Sequence, residues 1–213
     1  MKKSTLMGMV AALLAMVMNA GASLYPIGNI PDGNPVGVSF TGNYEQAPLG
    51  ATVSGLTVDL SISGGYNGNL YAYLVAPNGT MVLLLNQPGA TIGNPFGYAG
   101  SGLNVTLSDT ASGSIQTTPE TAGSTFSGNY QAAGTLANFN GSVADGNWTL
   151  FFADETAGGG QAILNGWSLN ITAVPEPANL ALMIFGVGFI GSGTIRYFRN
   201  TRKSALRSDQ IIP

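Results

Sequence analysis

Between residues 52 and 62 apolar and polar side chains alternate. Leu56, Val58, Leu60 and Ile62 fall on one face, and Thr57, Asp59 and Ser61 on the other. A period of two marks a strand with one buried side. Glycines and an asparagine at 64–68 turn the chain, and residues 69–75 form a second strand. Residues 76–80 then carry an Asn78-Gly79 pair, a hairpin signal because both residues tolerate the positive φ of tight reversals. The return strand at 81–85 is apolar enough to expect it in the centre of a sheet. Residues 103–108 alternate again, and 147–153 and 166–171 are the last two strands. Residues 115–138 are weakly patterned and read as a loop, with Tyr130, Leu136 and Phe139 as anchors into the core. About seven short strands with turn signals between them, and no amphipathic helix in the body, predict an all-β antiparallel β-sandwich.

The two ends follow different rules. Lys2 and Lys3 precede an apolar run at 6–18, and Ala20 and Ala22 are the small residues that a signal peptidase reads. Residues 1–22 are therefore expected to be a signal peptide cut after Ala22, since about 13 apolar residues fall short of the ~20 needed to span a bilayer. At the other end Val174, Pro175, Glu176 and Pro177 precede an apolar run at 178–195. Arg196, Arg199, Arg202 and Lys203 follow it as a basic stop. The apolar run is long enough for one transmembrane helix. The basic cluster and the tail at 204–213 would remain cytoplasmic, leaving the body at 23–173 outside.

Charge narrows the function. All 7 Lys and Arg residues of the 213-residue chain lie near its termini, and the net charge is −3. The body carries Asp32, Glu45, Asp59, Asp109, Glu120, Asp145, Asp154 and Glu155 with no basic side chain to pair them. Nucleic acid is excluded as a partner, because phosphate binding depends on Lys and Arg. The absence of Cys and His removes disulfides, thiol chemistry and the commonest general base. The expectation is a protein that is not an enzyme.

Several motifs occur in a recognisable order. Gly65, Tyr66, Gly68, Asn69 and Leu70 come first, then Leu74, Pro77, Gly79 and Thr80, and then Asp109 and Ala111. Leu136, Phe139 and Gly141 precede Gly146, Trp148 and Leu150, and Asp154, Gly166, Trp167 and Leu169 close the series; Ile30, Pro31 and Asp32 also fit at its start. As a set they resemble the proprotein convertase P domain (P/Homo B). The resemblance implies a jelly-roll β-sandwich that in its family accompanies and stabilises a subtilisin-type protease. No protease domain fits in this chain, so a scaffold is carried over and not an activity. Some members bind calcium, which implies a site at Asp109 and Asp154, with Asn69 where the family often has Asp. A solvated acidic rim around Asp145, Asp154 and Glu155 is the competing reading. Trp148, Trp167, Tyr71 and Tyr73 could line a sugar-binding face, but the tryptophans sit where the family builds its core.

The tail resembles the PEP-CTERM sorting signal of Gram-negative bacteria, in which an exosortase processes the protein at the Pro-Glu-Pro motif. Its span is then removed; the competing reading is a permanent anchor. These resemblances imply an exported cell-envelope protein, sorted to the surface or its exopolysaccharide layer, with a structural or adhesive role. Its partners would be signal peptidase, the exosortase, the membrane and a surface glycan. A calcium- or carbohydrate-binding module, or an accessory to a separately encoded subtilisin-like protease, are the alternatives.

Overall fold

The computed structural model describes residues 18–19, 25–48 and 50–175. The cleavage residues Ala20 and Ala22, the motif residues Glu176 and Pro177, the expected transmembrane helix and the basic stop all lie outside them. Among the described residues no helix is long and apolar enough to cross a membrane.

Among the described residues ten strands make two sheets, and two short 3-10 turns lie between strands. The strands are β1 (Met18–Asn19), β2 (Gly28–Ile30), β3 (Asn34–Tyr44), β4 (Thr52–Ser63), β5 (Leu70–Val75), β6 (Met81–Asn86), β7 (Leu103–Leu107), β8 (Phe126–Tyr130), β9 (Gly146–Asp154) and β10 (Ala162–Val174). The turns are η1 (Asn67–Asn69) and η2 (Leu136–Phe139). One sheet runs β1-β10-β4-β7-β8 with β2 also on β10, and the other runs β3-β9-β5-β6. Without β1 and β8, the orders β2-β10-β4-β7 and β3-β9-β5-β6 are those of a jelly roll. Side chains from both sheets, including Leu60, Trp167, Trp148 and Leu74, share one buried core.

The period-two reading of residues 56–62 holds, since Leu56, Val58, Leu60 and Ile62 are all buried. Val53 is buried as well, so the alternation slips by one residue across Ser54 and Gly55. A register shift against β10, between Thr172 and Ala173, absorbs the extra residue as a bulge. The hairpin at 76–80 also forms. Ala76 N donates to Thr80 O at 2.8 Å, Thr80 N donates to Asn78 Oδ1 at 3.1 Å, and Gly79 takes φ 85°.

Three expectations are corrected. The 81–85 strand is an edge strand rather than a central one. Its apolar character comes from Val82, Leu84 and Leu85 facing the core, while a neighbouring loop seals its outer backbone. Ala133 N donates to Leu84 O, Gly134 N to Leu83 O, and Gln116 Nε2 to Asn86 O. Such covering blunts an edge that would otherwise recruit another strand. Secondly, residues 115–138 are not wholly loop: β8 lies within them and pairs with β7 in parallel, so the sandwich is not purely antiparallel. Only its end rings, Phe126 and Tyr130, pack on the core, and they stack on each other with centroids 4.5 Å apart. The residues between are exposed, and thus no alternation betrays the strand. Leu136 and Phe139 are the buried anchors of this stretch, whereas Tyr130 is only partly buried. Thirdly, β3 extends the second sheet where no strand had been expected. It has a register shift against β9 in its first half, where Pro35 and Gly37 interrupt the pattern.

Candidate functional site

The two carboxylates implied as calcium ligands have different tasks. Asp109 receives Leu136 N on Oδ1 at 2.8 Å and Ala137 N on Oδ2 at 2.7 Å. A carboxylate at the start of a helical turn satisfies amide groups that would otherwise lack partners. Asp109 therefore fastens η2, and with it Phe139, to the end of β7. Replacing Asp109 with alanine should destabilise the fold by about 1–2 kcal/mol. Thermal melts should show that loss equally in calcium and in chelator; a loss confined to calcium would mean that Asp109 is a ligand.

Asp154 and Asn69 do come together. Asp154 ends β9 opposite Leu70 on β5 and Asn34 on β3, and it is fully buried. Its Oδ1 accepts Thr156 N at 3.2 Å, while its Oδ2 is buried without a hydrogen-bond partner. Desolvation raises its pKa, the Asp32 charge raises it further, and hydrogen bonds from Thr156, Gly33 and Asn69 oppose the shift. Asn69 Nδ2 donates to Thr156 O at 2.7 Å and to Gly158 O at 3.2 Å. Asp32 Oδ1 accepts Gly158 N at 3.0 Å. The 155–160 loop is thereby held between η1, at the start of β5, and the turn before β3. The expected acidic rim is not assembled: Asp145 accepts Ala47 N, Asp154 is buried, and Glu155 is exposed.

Two carboxylates and two peptide carbonyls are hard oxygens of the kind calcium takes, with both carbonyls here accepting from Asn69 Nδ2. The unpartnered Asp154 Oδ2 is the observation in favour of that fit. Among the described residues no cluster of three or more Asp, Glu, His or Cys side chains could hold a metal, so a cation here would lean on carbonyls more than on charge. The second acid at this loop is Asp32, while Asp109 is engaged at η2. Asp32 stands in the motif series with Ile30 and Pro31, but nothing local tells that it folds back onto residue 158.

A second buried polar group lies beside η1. Asn67 is fully buried; its amide pairs with Gly102 N and O and donates to Glu120 Oε2 at 2.7 Å. Glu120 Oε1 is buried without a partner, and burial raises the pKa of this carboxyl against the opposing hydrogen bond from Asn67.

Both tryptophans are core residues. Trp148 is fully buried, donates Nε1–H to Ala144 O at 3.0 Å and meets Phe139 edge-on at 5.2 Å. Trp167 donates to Pro26 O and lies 4.3 Å from the Tyr25 ring. Tyr71 and Tyr73 are half-buried on the outer side of β5, with Tyr73 stacked on Phe151 at 4.6 Å. Other aromatics gather instead around a pocket of about 330 Å³ beside Asn69 and the 156–158 loop, with Tyr66, Phe96 and Tyr98 in its lining. Sequence reasoning missed this group, because Phe96 and Tyr98 sit in a patternless loop between β6 and β7.

The family described as proprotein convertase P-domain matches residues 53–171. No curated protein matches the chain in sequence. Among solved structures, the serine protease of Aeromonas sobria in complex with the chaperone ORF2 is similar at 15% identity and a TM-score of 0.43, covering 79% of this chain and 29% of that one. The serine protease of Aeromonas sobria by itself is similar at 17% identity and a TM-score of 0.42, covering 76% and 28%. The chain thus spans less than a third of the length of the solved chains it matches.

Proposed function

This chain belongs to the proprotein convertase P-domain family, and we propose that it is an exported, non-enzymatic module sorted to the bacterial cell surface or its exopolysaccharide layer. Its role there is structural or adhesive. The observation that carries this reading is where the last strand of the sandwich ends. Strand β10 runs to Val174, and the compact unit ends at the same residue. The Pro175-Glu176-Pro177 motif begins on the next residue, so cleavage there would release the sandwich with its last strand complete. A chain without His cannot assemble a Ser-His-Asp triad, which supports a scaffold rather than a catalyst.

The test is the fate of the C-terminus. In cells that carry an exosortase, an epitope placed after Pro213 should be lost from the surface form, while an epitope in the body persists. Deleting the exosortase should restore the C-terminal epitope. A surface form that keeps Pro213 in wild-type cells would overturn the sorting reading.

The orphaned Asp154 Oδ2 supports calcium as a stabilising ligand of the same module. Asp154, Asp32 and Asn69, with the carbonyls of Thr156 and Gly158, would hold it. Calcium would neutralise the buried carboxylate and brace the 155–160 loop. An accessory role for a separate subtilisin-like protease rests on family membership alone.

A further inference from the structure

The aromatic pocket beside Asn69 is not accounted for by the fold or by the cation reading. Phe96 is 64% exposed and Tyr66 is 42% exposed. Neither belongs to the core, and both leave large apolar surface in water, although the Tyr66 ring also lies over Gly159. Exposed rings gathered around a concavity, unlike scattered ones, mark a binding surface. The structure keeps the pocket open in a defined shape. Gly68 N donates to Tyr98 O at 2.9 Å, Tyr98 N to Pro88 O at 2.8 Å, and Gly89 N to Gln116 O at 2.9 Å. Asn94 Nδ2 ties Gly97 O at 2.7 Å and Gly89 O at 3.3 Å. A side chain in place of Gly68 would collide with the backbone of Phe96 and Tyr98, so the aromatic loop lies directly on η1. A loop braced in this way is largely ordered before a ligand arrives, which lowers the entropic cost of binding.

We propose that this pocket binds a neutral sugar unit of a polysaccharide. The inference rests on the surface-matrix reading for its biological setting but not for its chemistry. Pyranose rings present C–H faces with partial positive charge, which suit the negative face of an aromatic ring. Their hydroxyls donate as well as accept; Asn69 and Asn94 spend their Nδ2 groups on backbone carbonyls, so exposed Asn94 offers its amide oxygen as an acceptor beside Tyr66, Phe96 and Tyr98. Among the described residues no charged side chain lines the pocket. The body has no basic residue to attract an anionic polymer. A volume of about 330 Å³ lies at the small end of ligand sites, which suits one or two sugar units rather than a folded partner.

The test titrates the full chain with tetrasaccharides of glucose, galactose and mannose, followed by NMR or calorimetry. At least one should bind at millimolar concentration or below. Phe96→Ala should weaken it by about tenfold or more, Phe96→Trp should retain it, and neither should move the melting temperature appreciably, because exposed side chains add little to stability. Asp109→Asn should leave binding unchanged. The proposal is overturned if no neutral tetrasaccharide binds, if Phe96→Ala binds as wild type does, or if an acidic oligosaccharide or a peptide is preferred. Because the assay uses purified chain, its failure leaves the C-terminal sorting result standing, and the reverse also holds.

Discussion

The Trp148→Ala variant should melt roughly 6–20 °C below the wild type, from a loss of about 3–5 kcal/mol. Trp148 is among the largest fully buried side chains. Its removal opens a cavity between β9 and η2, strips Phe139 of its ring partner and leaves Ala144 O without its indole donor. The backbone there has no room to collapse, because Leu150 and Phe152 on the same strand are also fully buried. Circular dichroism melts of the full chain would measure the shift. A melting temperature within a degree or two of wild type, accompanied by loss of sugar binding, would instead return Trp148 to a ligand face.

A second large effect concerns calcium and protons together. In chelator, the stability contributed by Glu120 and Asp154 should rise as the pH falls through their raised folded-state pKa values, opposite in sign to ordinary acid denaturation. Burial raises the folded-state pKa of Glu120, and desolvation does the same to Asp154. For an acid whose folded pKa lies above its unfolded one, the folded state binds more protons. The stability this linkage contributes is present at low pH and lost as pH rises through the folded pKa. Calcium at a hundredfold excess over its dissociation constant would add about 2.7 kcal/mol and flatten the part of the pH dependence owed to Asp154. The Asp154→Asn variant should lose the calcium response while melting at or above the apo wild type. A variant that still responds to calcium would remove Asp154 from the cation reading.

Strands that bury one clean face were legible as such. Leu56 to Ile62 alternates because one side of β4 meets the core and the other meets water, and Asn78-Gly79 reports its turn through backbone preference alone. Strands whose place depends on distant partners were not. The exposed middle of β8 and the interrupted start of β3 carry no period for a reader to find. An edge strand such as β6 looks central when its outer backbone is sealed by a loop about fifty residues further on. The candidate site has the same character. Asp154, Asn69 and Asp32 all stand at motif positions, but only the fold brings Asp32 to Gly158, 126 residues away in the chain. The aromatic pocket is assembled from loops whose convergence is a property of the whole jelly roll.

The eleven paired positions that join β10 to β4 have a mechanical meaning. A pull directed along β10 acts along the axis of the last strand of the sandwich. Backbone bonds in an antiparallel ladder lie across that axis, so they resist sliding together instead of parting one after another. Loaded in that direction, the final strand acts as a shear joint.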